Sequence, residues 1–176
     1  NGYDLITGAT AAKNVVTVGA LDANKDMSEY SNWGPTDDGR VKPEIVARGT
    51  GINSAQSAND TAYSGSGANS SGTSYATPAA TAAALLLQQY YGSVNAGAFM
   101  KASTLKTLLM GTTEDLGTSG PDYKFGYGLL NAEAAAFAIK KNSAVTGTGT
   151  TRSVSQADSR GNLVFGWPEN PAADST

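Results

Sequence analysis

The strands predicted by the hydrophobic pattern are short and buried. Residues 14–21 are rich in β-branched side chains and almost continuously apolar, as expected for a strand that is covered on both faces in a parallel sheet. Residues 42–47 predict a second short strand, which the chain enters through Pro43, and residues 52–54 predict a third. These segments favour a sheet that lies inside the protein.

The longest helical signal covers residues 73–91. Alanine and leucine, both strong helix formers, dominate this segment, and Gly92 provides a C-terminal stop. The first half of the segment is apolar on every side. This pattern predicts a helix that is buried all round.

Two shorter helices are predicted nearer the C-terminus. Ser103 and Thr104 supply cap residues for a helix over residues 105–110. Asn131 supplies the cap for a helix over residues 132–141, and the two lysines at its end suit the negative end of the helix dipole.

Changes in composition suggest the domain organisation. Residues 56–71 are rich in Ser, Gly, Asn and Ala, so this loop must lie over a larger core. After residue 142 the chain becomes polar and glycine-rich, with one candidate strand over residues 162–165. We predict a main domain over residues 1–142. Residues 143–176 would form a linker and the start of a following, β-rich segment that is too short to fold alone.

The composition narrows the classes of partner. The 176 residues carry a net charge of −3, only 15% of them are charged, and Lys and Arg do not cluster. This balance argues against a nucleic-acid or membrane partner, and the longest apolar run, residues 82–87, is far shorter than the ~20 residues that span a bilayer. The small, neutral residues are common in exported proteins, so we expect a secreted or cell-envelope location. No targeting signal follows Asn1, and we expect the natural amino terminus to be missing or processed away.

Metal and modification sites have only weak signals. The chain has no cysteine and no histidine, which excludes disulfides and thiolate zinc sites and leaves only an oxygen-ligated ion such as calcium open. Glu114, Asp115 and Asp122 could hold a structural calcium ion, and solvated surface charge is the simpler interpretation. Asn59 and Asn69 begin glycosylation sequons, which a chain rich in Asn, Ser and Thr generates freely.

One serine stands at the start of the longest predicted helix. Ser74 follows Gly72, where the absent side chain permits a tight turn and the close approach of a substrate chain. The helix start directs free N–H groups towards Ser74, whose own N–H is a natural oxyanion donor, with the Thr73 hydroxyl as a helper. Pro78, a few residues into the helix, should cost little, because the N–H that it lacks would have no partner, or only a weak one, in the first turn. The serine still needs a neighbouring base, and this chain contains no imidazole.

Other interpretations of the serine residues stay open. Ser71, Thr73 and Ser74 could act only as a capping cluster. Ser103 and Lys106 fit the Ser-x-x-Lys pattern of penicillin-binding enzymes. That pattern fixes only two residues, and its companion motifs are absent from the sequence.

Five segments occur in the order in which one protease family carries them. They are residues 12–20 (AKNVVTVGA), 30–35 (YSNWGP), 42–47 (KPEIVA), 72–78 (GTSYATP) and 125–132 (FGYGLLNA). Over residues 10–140 the chain therefore resembles the subtilisin-like serine proteases. The resemblance implies a three-layer α/β fold with a mainly parallel sheet and helices on both faces. This chain would supply only the later strands and the serine-bearing helix.

The resemblance also implies roles for individual residues. Ser74 would be the nucleophile, and Ser71, Gly72 and Thr73 would border the leaving-group side of the scissile bond. Tyr75 stands where the family usually has a methionine, so this position should resist oxidation. The family's catalytic histidine and aspartate and its oxyanion asparagine belong to segments that precede anything in this chain. The chemistry requires no cofactor.

The sequence departs from the family at two further positions and leaves two functions open. Arg48 stands where the family commonly has proline, and Ala79 where a non-catalytic histidine often follows. The first function is a serine endopeptidase that acts on polypeptides, in which a missing amino-terminal portion supplies the His and Asp and the isolated chain is inactive. The alternative is a catalytically inactive scaffold of the same fold that serves as a secreted binding or structural module.

Overall fold

The computed structural model describes residues 4–57, 59–61, 64–65, 70–144, 156–157 and 163–164. These residues form a short 3-10 helix, three α-helices and six short strands. In chain order the elements are the 3-10 helix Gly8–Ala11, β1 Val18–Leu21, β2 Ile45–Arg48, β3 Ala55–Gln56, β4 Ser64–Gly65, α1 Thr73–Val94, α2 Ala102–Gly111, α3 Ala132–Ala144, β5 Gln156–Ala157 and β6 Leu163–Val164.

A parallel pair of strands lies at the centre of the structure. β1 and β2 pair from Val18 opposite Ile45 to Leu21 opposite Arg48, and α1 packs against both strands. The contact is made by small side chains, Ala20, Ala47 and Ala76, which are all buried. The predicted parallel strands inside an α/β structure are therefore confirmed. Both are shorter than the sequence suggested.

The third strand was predicted in the wrong place. Ile52 forms only an isolated antiparallel bridge with Ser70. The next strand, β3, pairs antiparallel with β4 rather than joining the parallel sheet. With a single apolar residue, the segment 52–54 does not by itself specify a strand or its partner.

The helix α1 is longer and more exposed than predicted. It continues through Gly92 to Val94, and Gly92 ends it only indirectly, because its carbonyl accepts the N–H groups of Asn95 and Gly97. Burial of the first half on every side was wrong, since Pro78, Ala79 and Ala82 are exposed, and further along the helix Leu85 and Leu86 are 66% and 64% exposed. Only one side of α1 meets the strands and the other two helices. The buried residues of α1 are Ala76, Ala80, Ala83 and Leu87.

A second cluster packs the three helices together. Its buried members are Leu87, Met100, Leu109, Ala135 and Ile139. The Gln88 side chain fixes the loop that joins α1 to α2, since its amide donates to the Met100 carbonyl (2.9 Å) and accepts from the Met100 N–H (2.8 Å).

The two predicted helix caps have different outcomes. α2 begins at Ala102, so Ser103 and Thr104 lie inside the helix and do not cap it. The Asn131 cap of α3 is confirmed, because its side-chain oxygen accepts the Ala134 N–H at 2.9 Å. The cap of α2 was misplaced because any neighbouring serine or threonine gives the same local signal.

The C-terminal segment leaves the predicted domain division untested. α3 runs to Ala144, so the predicted boundary near residue 143 falls in its last turn. The Gly- and Thr-rich residues 146–150, which belong to the predicted linker, lie outside the described residues. The candidate strand at 162–165 contains β6, which pairs antiparallel with β5. Division into residues 1–142 and 143–176 stays a prediction.

A buried carboxylate joins three parts of the fold. The Glu44 Oε1 atom lies 2.5 Å from the Lys42 Nζ and 2.6 Å from the Lys106 Nζ, while its Oε2 accepts the Thr17 N–H at 2.7 Å. The Lys42 and Glu44 side chains are only 1% and 5% exposed. Burial lowers the pKa of Lys42 from its ordinary value. Glu44 therefore fixes the start of β1, the start of β2 and the α2 helix relative to one another.

Both lysines also bind the chain that leads into β1. The Lys42 Nζ donates to the Ala12 carbonyl at 2.9 Å, and the Lys106 Nζ donates to the Lys13 and Val15 carbonyls at 2.9 and 2.8 Å. These bonds explain why β1 starts only at Val18. The carbonyls of Ala12, Lys13 and Val15 are bound to side-chain donors rather than to a neighbouring strand.

We expect Glu44→Gln to destabilise the chain by about 3 kcal/mol, because two buried or half-buried cations would lose their common counter-charge. Urea denaturation followed by circular dichroism measures this loss. Glu114→Gln is the matched control. The Glu114 Oε1 pairs with the Lys25 Nζ at 2.5 Å on the surface, with both side chains about half exposed, and such pairs contribute only about 0.5 kcal/mol. Equal losses for the two variants would contradict the proposed importance of Glu44.

Candidate functional site

Ser74 lies at the exposed amino end of α1. The helix begins at Thr73, and Ser74 is its second residue, with an exposed side chain. The first N–H groups of a helix have no intrahelical acceptor and carry the positive end of its dipole. The Ser74 N–H therefore points out of the helix beside its own hydroxyl. Among the described residues no side chain bonds to that hydroxyl.

The turn that precedes the helix, residues 70–74, is bound to the chain that leaves β2. We call these five residues the serine turn. The Gly72 N–H donates to the Gly49 carbonyl at 2.9 Å, and the Ile52 N–H donates to the Ser70 carbonyl at 2.9 Å. The Ser71 hydroxyl accepts the Gly51 N–H at 3.2 Å. The segment of residues 49–52 therefore runs beside the serine turn and fixes its path.

Gly49 is the point of closest approach. A side-chain Cβ atom at this position would lie 2.7 Å from the Gly72 carbonyl oxygen, 2.8 Å from the Ala20 Cβ and 3.2 Å from the Ala76 Cβ. Nothing larger than a hydrogen atom fits there without movement of the backbone. Close packing of the strand end against α1 thus determines where the serine turn lies.

The structure brings all five predicted site residues together. Ser71 and Ser74 are exposed, whereas Gly72, Thr73 and Tyr75 are half-buried. The Tyr75 N–H donates to the Gly72 carbonyl at 3.0 Å, and the Tyr75 ring lies beside Gly72. The ring therefore covers one side of the serine turn.

The predicted helix start at Thr73 is confirmed, but the expectation that the missing N–H of Pro78 would fall in the first turn was wrong. Because α1 begins at Thr73, Pro78 lies beyond the first turn, and its missing N–H would have bonded the Ser74 carbonyl. The nearby Thr77 hydroxyl donates to the Thr73 carbonyl at 2.9 Å, not to the Ser74 carbonyl. The helix therefore lacks one backbone hydrogen bond directly at the residue that carries the candidate nucleophile.

The Ser-x-x-Lys interpretation finds no support in the geometry. Lys106 binds Glu44 and two backbone carbonyls. Ser103 is half-buried within α2, and its carbonyl accepts the Thr107 hydroxyl. The lysine is thus committed to the buried carboxylate and not to the serine.

The candidate calcium ligands each have a partner within the chain. Glu114 pairs with Lys25, and Asp115 accepts the Gly120 N–H at 2.9 Å. Asp122 accepts the N–H groups of Lys124 and Phe125 at 2.8 and 2.7 Å. Within the described residues no three acidic side chains group as metal ligands do. These carboxylates organise the loop between α2 and α3.

The two sequons have different outcomes. The Asn59 side chain is exposed, and its oxygen accepts the N–H of Thr61 at 3.0 Å. Asn69 lies outside the described residues. In the part of the chain that the structure describes, no helix combines the length and the apolar character needed to cross a membrane.

Comparison with known proteins identifies the family. The sequence profile described as "Subtilase family" matches residues 6–128, which is more than half of the chain. The chain belongs to the subtilase family. It is 35% identical over 144 residues to "Serine protease AprX" of Bacillus subtilis, a match that covers 73% of this chain and 31% of that protein. It is also 45% identical over 65 residues to "Neisserial autotransporter lipoprotein NalP" of Neisseria meningitidis, covering 36% of this chain and 5% of that protein.

A solved structure supports the subtilisin-like fold. The CspB protease of Clostridium perfringens superimposes with a TM-score of 0.65 over 78% of this chain and 29% of its own, at 23% identity. The expected subtilisin-like α/β fold, present only in part, is confirmed. The chain spans less than half the length of the subtilases that it matches.

Some residues that fix the subtilase serine escaped the sequence analysis. Gly49 and Gly51 follow a strand and carry no motif of their own, so only the fold shows that they lie beside Gly72 and Ser71. The arginine at position 48 was noticed only as a departure from the family. Its guanidinium group donates to the Thr50 and Gly51 carbonyls, both at 3.4 Å.

We expect Gly49→Ala to destabilise the chain by about 2 kcal/mol, because the added methyl group would push the Gly72 carbonyl away. Thermal unfolding measures the change. Gly92→Ala is the control. Gly92 lies inside α1, where the nearest atom to an added Cβ, the Ala98 oxygen, is 3.4 Å away and alanine is the better helix former. A Gly49→Ala variant as stable as Gly92→Ala would show that the close contact does not constrain the turn.

Proposed function

We propose that this chain is the nucleophile-bearing part of a subtilase serine endopeptidase. The observation that carries the proposal is the exposed Ser74 side chain at the amino end of the 22-residue helix α1, within the family's Gly-Thr-Ser box. Membership of the subtilase family supports the same conclusion. The substrates would be polypeptides.

The chemistry requires a base from another part of the protein. In the proposed reaction a histidine from an amino-terminal portion, oriented by an aspartate, takes the Ser74 hydroxyl proton as the oxygen attacks the peptide carbonyl carbon. The Ser74 N–H then donates to the oxyanion, with the Thr73 hydroxyl beside it, while the positive end of α1 stabilises the charge. The C–N bond breaks, the leaving amine takes the proton from the histidine, and water releases the acyl group.

The apolar surface of α1 supports a partner for this chain. Leu85 and Leu86 are about two-thirds exposed, and covering two such side chains would contribute roughly 3 kcal/mol or more. The chain covers only 31% of AprX and 29% of the CspB protease. We propose that the missing amino-terminal portion, which carries the histidine and the aspartate, covers this surface and completes the site.

Location and ion requirements follow the same proposal. The similarity to NalP, whose name describes an autotransporter lipoprotein, supports a secreted or cell-envelope location. No cofactor takes part in the proposed chemistry. The three loop carboxylates accept bonds from the chain's own groups, so a structural calcium ion at this loop would compete with those bonds.

A fluorophosphonate probe tests the proposed nucleophile. We expect the probe to label Ser74 in the full-length protein and to label the isolated chain slower by about 10⁴-fold or more, because the base is then absent. Mass spectrometry of the labelled peptide identifies the residue. Ser74→Ala should abolish labelling, whereas Ser103→Ala should leave it unchanged.

Two results would count against the enzyme. A folded full-length protein that the probe does not label would favour the inactive binding or structural scaffold. If labelling is lost in Ser103→Ala and kept in Ser74→Ala, the nucleophile would be Ser103 on α2 and not Ser74 on α1.

Leu86→Glu tests the proposed partner surface. In the isolated chain the side chain is exposed, so the change in unfolding free energy should stay within about 0.5 kcal/mol. When the amino-terminal portion is co-expressed as a separate polypeptide, the buried carboxylate should weaken its association at least tenfold. Affinity capture with quantitative mass spectrometry measures this. Lys140→Glu, on the exposed side of α3, is the control, and equal capture of both variants would contradict the proposal.

A further inference from the structure

We propose that Thr50 is a positioning residue for Ser74 and that Ser28 and Tyr30 hold it in place. The inference rests on the proposed function, in which Ser74 is the nucleophile. It concerns side chains that lie in no motif of the family resemblance except Tyr30, whose hydroxyl had no assigned role. Thr50 itself does not touch the substrate and acts through the backbone on either side of it.

The first step is the backbone around Thr50. Its two neighbours, Gly49 and Gly51, both bind the serine turn through their backbone. The Gly49 carbonyl accepts the Gly72 N–H, and the Gly51 N–H donates to the Ser71 hydroxyl. A shift of Thr50 would therefore displace both contacts at once. The serine turn leads directly into Ser74.

The second step is the position of the Thr50 side chain. Its hydroxyl oxygen lies 2.6 Å from the Ser28 hydroxyl and 2.6 Å from the Tyr30 hydroxyl. A threonine hydroxyl has one proton to donate, so at least one of these two neighbours must donate to Thr50. The three oxygens form a connected network in which each fixes the direction of the next.

The network is anchored to the sheet on its other side. Ser28 is only 6% exposed, and its N–H donates to the Ala20 carbonyl in β1 at 2.9 Å. The Thr50 N–H itself donates to the Leu21 carbonyl at 3.1 Å. Thr50 thus links the end of β1 to the segment that holds the serine turn, and α1 is not the only element that places Ser74.

The consequence for catalysis is geometric. A serine must be held near 3 Å from the carbonyl carbon and in line with its base, and a displacement of about 1 Å can cost about 100-fold in rate. Because Pro78 removes one helical bond to the Ser74 carbonyl, the bonds from the 49–52 segment carry more of this task. Loss of the Thr50 oxygen should lower kcat and leave KM nearly unchanged.

The experiment compares four variants of the full-length protein. We expect Thr50→Val to slow fluorophosphonate labelling and to lower kcat by about tenfold or more, with KM within threefold. Thr50→Ser keeps the oxygen and should restore both to within threefold. Tyr30→Phe removes one partially exposed hydroxyl and should give a smaller decrease. Thr112→Val is the matched control, since it removes the same oxygen from another half-buried threonine, whose hydroxyl bonds the Leu108 carbonyl at the end of α2.

A second measurement does not depend on activity. Hydrogen exchange followed by mass spectrometry should show faster exchange at the Gly51 and Gly72 amides in Thr50→Val than in wild type, and no such change in Thr112→Val. Wild-type protein that the probe does not label would contradict the proposed function, while exchange at these two amides would still decide the role of Thr50. Unchanged exchange, labelling within twofold of wild type in Thr50→Val, or no recovery in Thr50→Ser would each overturn the inference.

Discussion

The buried carboxylate of Glu44 is the constraint on which the rest of the structure depends. It pairs with both the buried Lys42 and the half-buried Lys106 and accepts a backbone N–H just before β1. Unpaired charges in such a place would be expensive, so the three groups must come together or the core must open. Because Glu44 and Lys42 precede β2, Thr17 precedes β1 and Lys106 lies in α2, these contacts fix the two strands and the helix relative to one another.

The position of the serine turn depends on that arrangement, and it is set by the small size of the packed residues rather than by charge. With β1 and β2 fixed in register, the alanines of both strands let α1 lie close to the sheet, and Gly49 brings the end of β2 against the Gly72 carbonyl. Because the side chains at these contacts are so small, the strands and α1 pack closely, and this close packing fixes where the helix starts. The exposed Ser74 side chain is therefore the product of tight packing immediately beneath it.

The sequence predicted what local signals encode. Four features could be predicted because each depends on residues that are consecutive in the chain. They are the serine helix, its start, the Asn131 cap and the family's motifs. The failures were long-range. Residues 52–54 gave no clue to their bridge with Ser70, and the exposure of Leu86 depends on what covers α1. Thr50 carries no motif, so its role became visible only when the fold placed it between Ser28 and Tyr30.

The exposed side of α1 connects stability to chemistry. A helix with apolar residues on every side is most stable when it is covered on every side, yet the strands and helices that the structure describes cover one side only. In the proposed complex, the amino-terminal portion that covers this side would also bring the histidine to Ser74. In a subtilase, whose reaction needs an imidazole that this chain lacks, completion of the core and completion of the active site would then be one process. The two tasks would be coupled because a single helix carries both the apolar surface and the serine.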